Sequence, residues 1–430
     1  MASETKKGIF SWYFQTSLLL RILVGLILGV IAGCILGYMP EAADKFITYS
    51  KFFGDLFIRL LKMIVVPVIF FSLITGAASI KPNQLGRVGI KILLFYIITS
   101  VIAVCIGIVL ANIFQPGVGF NIVGDAAVQG KAAARPSLMQ VFLNIVPTNP
   151  VESLAKGDVL PIIFFSLCFG IGLALLREAS NESISNAANK LFSVLSACAE
   201  VMYKVVGGIM QYAPIGVFVL IAIVFAQQGP KAIGPLLFVT LTVYVGLVLH
   251  LVFGYGLILT LYKLSLVKFL RGVYEASITA FVTRSSSATL PITLRVSEEK
   301  LGVPRSVSSF TLPIGATVNM DGTSIYLAVC AMFIAFATGQ PLDANQQLTV
   351  VITATLAAIG TAGVPGAGAI MLLMVLESVG LKVTEGSAVA AAYAMILGID
   401  ALLDMGRTCM NVTGDVVGAI VVSKSEKALD

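Results

Sequence analysis

Long stretches without a single charged residue constrain this chain more than any other feature. Residues 92–124, 205–230, 232–262 and 344–376 contain no Asp, Glu, Lys or Arg. Each exceeds the roughly 20 helical residues that cross a bilayer. Stretches broken by single charges cover about 45–78, 159–176, 304–339 and 386–424. The run 22–40 is also uncharged, and no small-residue cleavage site follows a short apolar core, so it reads as a retained first span rather than a signal peptide. The ten-residue alternation of a membrane β-barrel is not visible. An all-α polytopic membrane protein is expected, with the lipid bilayer as its main solvent. Composition agrees: 12% of residues are charged, against about 25% in soluble domains, and mean hydropathy is +0.98.

The same arithmetic excludes other classes. The net charge of +6 is spread without a basic block, so nucleic acid is not an expected partner. All 6 cysteines, Cys34, Cys105, Cys168, Cys198, Cys330 and Cys409, sit in apolar stretches and form no Cys-x-x-Cys pair. They read as small apolar packing residues. The 1 histidine, His250, is flanked by Leu249, Leu251, Val252 and Phe253 and reads as a buried helix residue rather than a metal ligand. Zinc chemistry and a histidine-dependent triad both lack their parts.

Loop charges give an orientation. With the N-terminus inside, one side collects Lys6, Lys7, Lys81, Arg87, Lys91, Arg177, Lys190, Lys263, Lys268, Arg271, Arg295, Lys300, Arg305, Lys424 and Lys427. The other side receives only Lys45, Lys51, Lys131, Arg135, Lys231 and Lys382, so both termini are expected to be cytoplasmic. This asymmetry requires that two apolar segments enter and leave on one face: the one between Arg271 and Arg295, and 344–381. Each has a small-residue tip near proline, Thr-Arg-Ser-Ser-Ser-Ala-Thr-Leu-Pro at 283–291 and Gly-Thr-Ala-Gly-Val-Pro-Gly-Ala-Gly at 360–368. Paired interrupted segments point to an inverted-repeat transporter whose site lies where the tips meet. Irregular backbone at membrane depth is tolerated only beside protein or a polar cavity.

The last span holds Asp400, Asp404, Arg407, Asn411 and Asp415, spaced four, three, four and four, on one helical stripe. A lone charge at bilayer centre costs about 2.5–3.5 kcal/mol, so this stripe must face protein. An Arg407–Asp404 pair could merely glue helices together, but one arginine cannot neutralise three carboxylates. Acids left over would protonate or hold a cation. In the preceding span, Asn319-Met320-Asp321-Gly322-Thr323 groups poor helix formers at mid-membrane. A packed kink would explain them; an unwound turn would also release carbonyl oxygens, which with carboxylates suit a hard cation such as sodium. Ser285-Ser286-Ser287 has no neighbouring His or Lys to act as base, which argues against a hydrolase. Hydroxyls and backbone N–H groups at opposed tips suit an anion instead. Gly25, Gly29, Gly33 and Gly37 form a small-residue packing seam.

Together the two tips, Asn-Met-Asp-Gly-Thr at 319–323, and Asp-Met-Gly-Arg-Thr with Asn-Val-Thr-Gly-Asp at 404–415, resemble the signatures of the dicarboxylate/amino acid:cation symporters, the glutamate transporter family. The likeness covers nearly the whole chain, including Pro-Thr-Asn-Pro at 147–150 and Gln-Tyr-Ala-Pro at 211–214, and is nearest to archaeal sodium-coupled aspartate transporters.

The resemblance implies eight transmembrane helices plus two re-entrant hairpins in a homotrimer with an elevator mechanism. Residues 1–83 and 137–230 would be scaffold, and 84–136 and 231–430 transport domain. It implies that Arg407 pairs with the substrate side-chain carboxylate and Asp404 with its amino group. Arg284, Ser286, Thr323, Val364, Gly368, Thr408 and Asn411 would complete the pocket. One sodium site would use Gly315, Asn319, Asn411 and Asp415. A second would use Thr317, Ala358, Ile359 and Thr361, and a third Tyr96, Thr99, Ser100, Asn319 and Asp321.

Departures within the family narrow the expectation. Proton-coupled bacterial relatives tend to carry Asn where Asp415 stands, so this carboxylate favours sodium. Leu327 stands where mammalian glutamate transporters have Glu, which speaks against proton co-transport. Arg407 favours an acidic substrate, and Asp404 favours one with an amino group. The expected function is sodium-coupled uptake of aspartate or glutamate. A C4-dicarboxylate or proton-coupled carrier is the near alternative, and an ion channel the distant one.

Overall fold

The computed structural model describes residues 16–79, 88–120, 122, 143 and 145–426. Lys6, Lys7, Lys81, Arg87, Lys131, Arg135 and Lys427 of the charge pattern, and the boundaries expected at 83/84 and 136/137, lie outside them. Every element among the described residues is helical. Six are long and apolar enough to cross a membrane: Leu18–Gly37, Pro40–Ser79, Ile90–Phe114, Glu182–Leu261, Arg305–Ala337 and Ala388–Ser425. The run Glu182–Leu261 contains a tight turn at Gly229–Ala232, and a shorter apolar helix covers Pro161–Arg177. The molecule is a multi-pass membrane protein.

One set of helices gathers on α6 (Glu182–Gln228). Helix α1 (Leu18–Gly37), α2 (Pro40–Ser79) and α5 (Val159–Arg177) pack against it, and α4 (Pro150–Lys156), capped by the Asn149 side chain, precedes α5. The glycine seam explains how α1 approaches so closely. A Cβ on Gly25 would lie 2.5 Å from the Pro214 carbonyl oxygen, and one on Gly33 would lie 2.5 Å from Phe225 Cβ.

A second set gathers on α15 (Ala388–Ser425). Against it pack α9 (Leu266–Thr283), α11 (Arg305–Val318) and α12 (Asp321–Ala337), while α3 (Ile90–Phe114) packs on α12. Burial sets apart the two spans at the centre of this second set. Of the most apolar window in Arg305–Ala337, 94% is buried, and 78% in Ala388–Ser425, against 28% in Leu18–Gly37. The spans that carry mid-membrane charge are therefore those enclosed by protein.

Two helix–turn–helix hairpins occupy the segments expected to turn back. In the first, α9 and α10 (Ser286–Glu299) join at Arg284, whose left-handed backbone (φ 55°) ends α9. Ser285 then caps α10 by accepting from the Ala288 N–H at 3.1 Å. At the open end, Arg295 and Lys300 both bond Glu275, at 2.8 and 2.6 Å, so the charges before and after the tip lie together. In the second, α13 (Ala344–Ile359) and α14 (Ala367–Ser378) flank the glycine-rich tip. There Asp343 and Gln346 form a reciprocal cap, and the Gln346 amide donates to the Val379 carbonyl at 3.0 Å, closing the base. Helix α2 reaches this hairpin: Ser72 Oγ donates to the Gly360 carbonyl at 2.9 Å. It also reaches the segment before α15, through Arg59 to Glu385 and Lys62 to the Val383 carbonyl.

Candidate functional site

The hairpin tips meet. Ser285 Oγ donates to the Gly363 carbonyl at 2.6 Å, and the Ser287 N–H donates to the same oxygen at 3.3 Å. The serine run therefore serves as helix cap and tip contact. The α11–α12 break lies beside this contact. Helix α11 stops at Val318, Asn319 and Met320 leave helical geometry, and α12 begins at Asp321. The turn is held from across: Asn411 Oδ1 accepts from the N–H groups of Gly322 at 2.8 Å and Thr323 at 3.3 Å. These are first-turn donors that lack a partner within their own helix.

A small enclosed space is bounded by the tips, this turn and α15. Its walls include Arg284, Ser286, Thr323, Val364, Gly368, Asp404, Arg407, Thr408 and Asn411, every substrate-pocket residue expected from the sequence, together with Met320, Thr361, Ala362 and Gly363. Helices α10, α12 and α14 all begin at this space. Their N-terminal N–H groups and partial positive charge suit an anionic ligand.

Arg407 crosses the floor. Its Nε donates to Asp404 Oδ1 at 2.9 Å, its Nη1 to Asp400 Oδ1 at 2.8 Å, and its guanidinium lies over the Tyr326 ring at 4.3 Å. Asp404 is further fixed by the Thr408 hydroxyl at 3.0 Å and the Gly366 N–H at 3.1 Å. Gly368 leaves room for the arginine, since a Cβ there would lie 2.6 Å from Arg407 Cζ. Arg407 is 1% exposed and Asp404 3%, so both charges are removed from solvent. The sequence named Asp400 on the stripe without a role; it takes one side of the guanidinium. Tyr326 was missed, although it follows Thr323 by one helical turn.

One turn beyond Asn411, the acids lack such a partner. Asp415 Oδ1 accepts from Asn319 Nδ2 at 3.0 Å. Asp321 accepts from Ser100 Oγ at 2.7 Å and from the Tyr255 hydroxyl at 2.7 Å, with His250 Nε2 at 3.0 Å. Neither Asp321 nor Asp415 bonds a lysine or arginine among the described residues. The Asn319 Oδ1 acceptor is buried without a hydrogen-bond partner. A Cβ on Gly315 would lie 2.6 Å from Asp415 Oδ1 and 2.7 Å from the Tyr96 hydroxyl. Buried carboxylate and carbonyl-type oxygens without a lysine or arginine among them fit a hard cation.

The expected sodium residues divide unevenly. Gly315, Asn319 and Asp415 come together, and Asn319 Nδ2 also reaches the Asn411 carbonyl at 3.4 Å. Ser100 and Asp321 are joined directly, but the Tyr96 hydroxyl donates to the Thr311 carbonyl at 3.1 Å and Thr99 Oγ1 to its own helix at Tyr96. Thr317, Ile359 and Thr361 line a separate cavity of about 470 Å³ between the second tip and α2, while Ala358 is fully buried beside it.

The family model for the sodium:dicarboxylate symporters matches residues 18–425. The chain belongs to that family. It is 36% identical to the proton/sodium-glutamate symport protein of Geobacillus stearothermophilus, over 94% of each chain. It is 37% identical to the proton/glutamate-aspartate symporter of Escherichia coli, over 88% of this chain and 85% of that one. A C4-dicarboxylate transport protein of Rhizobium johnstonii is 36% identical over 97% of this chain and 90% of its own.

Proposed function

We propose that this symporter family member takes up aspartate, and glutamate by the same chemistry, driven by a sodium gradient. The observation that carries the substrate reading is the pairing of Arg407 and Asp404 at one enclosed space. A planar guanidinium matches a side-chain carboxylate, and a neighbouring carboxylate matches an ammonium group. Support for sodium comes from Asp321 and Asp415, two buried acids that bond no lysine or arginine among the described residues.

Asn411 connects the two halves. Its side chain lines the substrate space and caps α12, and its backbone carbonyl meets Asn319. A cation that orders the Asn319–Asp321 turn would also order the wall that substrate touches. Before cations bind, the acids of this region repel an acidic substrate; afterwards they do not. Closure of the second hairpin over both ligands would favour the closed state by their differential affinity.

In this reading eight spans and two re-entrant hairpins form a homotrimer with cytoplasmic termini. The α6-centred set with α1 and α2 is the scaffold, and α3 with residues 231–430 is the moving transport domain of an elevator. The separate packing of the two sets supports this division.

The relative named as a C4-dicarboxylate transport protein favours a second reading, a dicarboxylate without an amino group. Calorimetric titration of the purified protein with aspartate, glutamate and succinate, with and without sodium, separates the two. Sodium-dependent aspartate binding is expected. Equal aspartate affinity with and without sodium, or tighter succinate binding, overturns the proposal.

A further inference from the structure

His250 is the histidine that the sequence leaves without chemistry, and the structure places it in an interruption of an otherwise α-helical run. It opens a π-helical segment, His250–Tyr255, between α7 (Ile233–Leu249) and α8 (Gly256–Leu261). In a π turn the backbone bonds run from i to i+5, so residues 250 and 255 share a face, and such turns inside α-helices are frequent at functional positions. Both side chains are fully buried, with ring centroids 4.6 Å apart. Both end on one atom: the Tyr255 hydroxyl donates to Asp321 Oδ2 at 2.7 Å, and His250 Nε2 lies 3.0 Å from the same oxygen.

Two glycines hold open the space for this arrangement. A Cβ on Gly254 would lie 2.8 Å from His250 Nδ1. On α15, a Cβ on Gly414 would lie 2.0 Å from the Tyr255 hydroxyl and 2.7 Å from Asn319 Nδ2. The Tyr255 hydroxyl thus sits wedged between α12 and α15, next to the amide that holds Asp415.

We infer that His250 and Tyr255 are positioning residues that clamp the Asp321 carboxylate for the coupling cation, which rests on the reading of Asp321 as a cation ligand. An ionised carboxylate offers about four acceptor positions. Tyr255 and His250 occupy those on Oδ2, and Ser100 takes one on Oδ1, at 2.7 Å. One position on Oδ1 remains for a cation, and the two rings fix the plane in which it points. The imidazole reaches Oδ2 through one ring nitrogen and leaves the remaining position on Oδ1 open, whereas a lysine or arginine would supply the cation itself.

The test is calorimetric aspartate binding by the purified full chain at a series of sodium concentrations. Asp321→Asn is the reference: it must weaken the sodium dependence, and if it does not, the cation reading and the clamp fall together. His250→Leu and Tyr255→Phe are each expected to raise half-saturating sodium on the order of tenfold, as losing one hydrogen bond to a charged group does, with aspartate affinity at saturating sodium unchanged. His250→Gln, which keeps an N–H at the same reach, restores the wild-type sodium response. If Asp321→Asn has its effect while His250→Leu and Tyr255→Phe keep wild-type sodium affinity, the clamp alone is overturned. Failure of His250→Gln to rescue His250→Leu also overturns it. Should His250→Leu not fold, Tyr255→Phe, which removes a single oxygen, carries the same test.

Discussion

Two groups of buried acids lie along helix α15, the second completed by Asp321 of α12, and their surroundings differ in kind. Asp400 and Asp404 share the guanidinium of Arg407. Two turns further on, Asp415 faces Asn319, and Asp321 beyond it is held by Ser100, Tyr255 and His250. The first group carries its own cation and can exchange part of that pairing for a carboxylate and an ammonium from a ligand. The second has hydrogen bonds but no lysine or arginine partner among the described residues. Hydrogen bonding satisfies the lone pairs of a buried carboxylate but leaves its charge uncompensated, so the second group creates a demand for a cation that the first does not.

The largest effect is expected where the first group is broken. Arg407→Gln removes the charged partner of any substrate carboxylate, and aspartate affinity measured by calorimetry should fall at least about 100-fold, in line with loss of a buried charge pair. Near wild-type affinity would show that the floor of the pocket reads something other than a carboxylate. Breaking the second group should act through sodium instead. Asp415→Asn is expected to weaken aspartate binding by about tenfold at limiting sodium, with recovery at high sodium. A loss that sodium does not reverse would erase the distinction between the groups.

A subtler change sharpens the first group without altering a charge. Gly368→Ala places a methyl where the guanidinium now lies, and overpacking of about 1–3 kcal/mol should lower aspartate affinity while leaving half-saturating sodium unchanged. The smallest effect on binding belongs to the glycine seam of α1. Gly33→Ala meets Phe225 and the Ala222 carbonyl, so thermal unfolding in detergent should come earlier by about 1–3 kcal/mol of stability, with sodium-dependent binding retained.

Much of this was legible in the chain itself. The uncharged runs announced the spans, because lipid tolerates few charges and every exception must find protein. The four-three-four-four spacing puts Asp400, Asp404, Arg407, Asn411 and Asp415 on one helical face, and all five are buried on α15. The poor helix formers at 319–323 marked the break between α11 and α12. The two small-residue tips marked the hairpins, and their contact at Ser285 and Gly363 followed.

Other features had no local signal. His250 stands among leucines and valines, and apolar neighbours in sequence said nothing of Asp321, which reaches it from another helix. The π turn that aligns His250 with Tyr255 is a matter of one residue of register, below what apolar periodicity can resolve. Tyr96 is grouped with Asp321 by family likeness, and its hydroxyl bond to the Thr311 carbonyl and its approach to Gly315 come from helices distant in sequence.

The sequence by itself therefore determined that the chain lives in a membrane, which spans carry charge and where backbone must break, because those properties depend on composition and spacing along one helix. Which acid meets an arginine and which meets none was decided by tertiary structure. That choice depends on the faces that α3, the π turn, α12 and α15 turn toward one another, and packing between distant segments sets it.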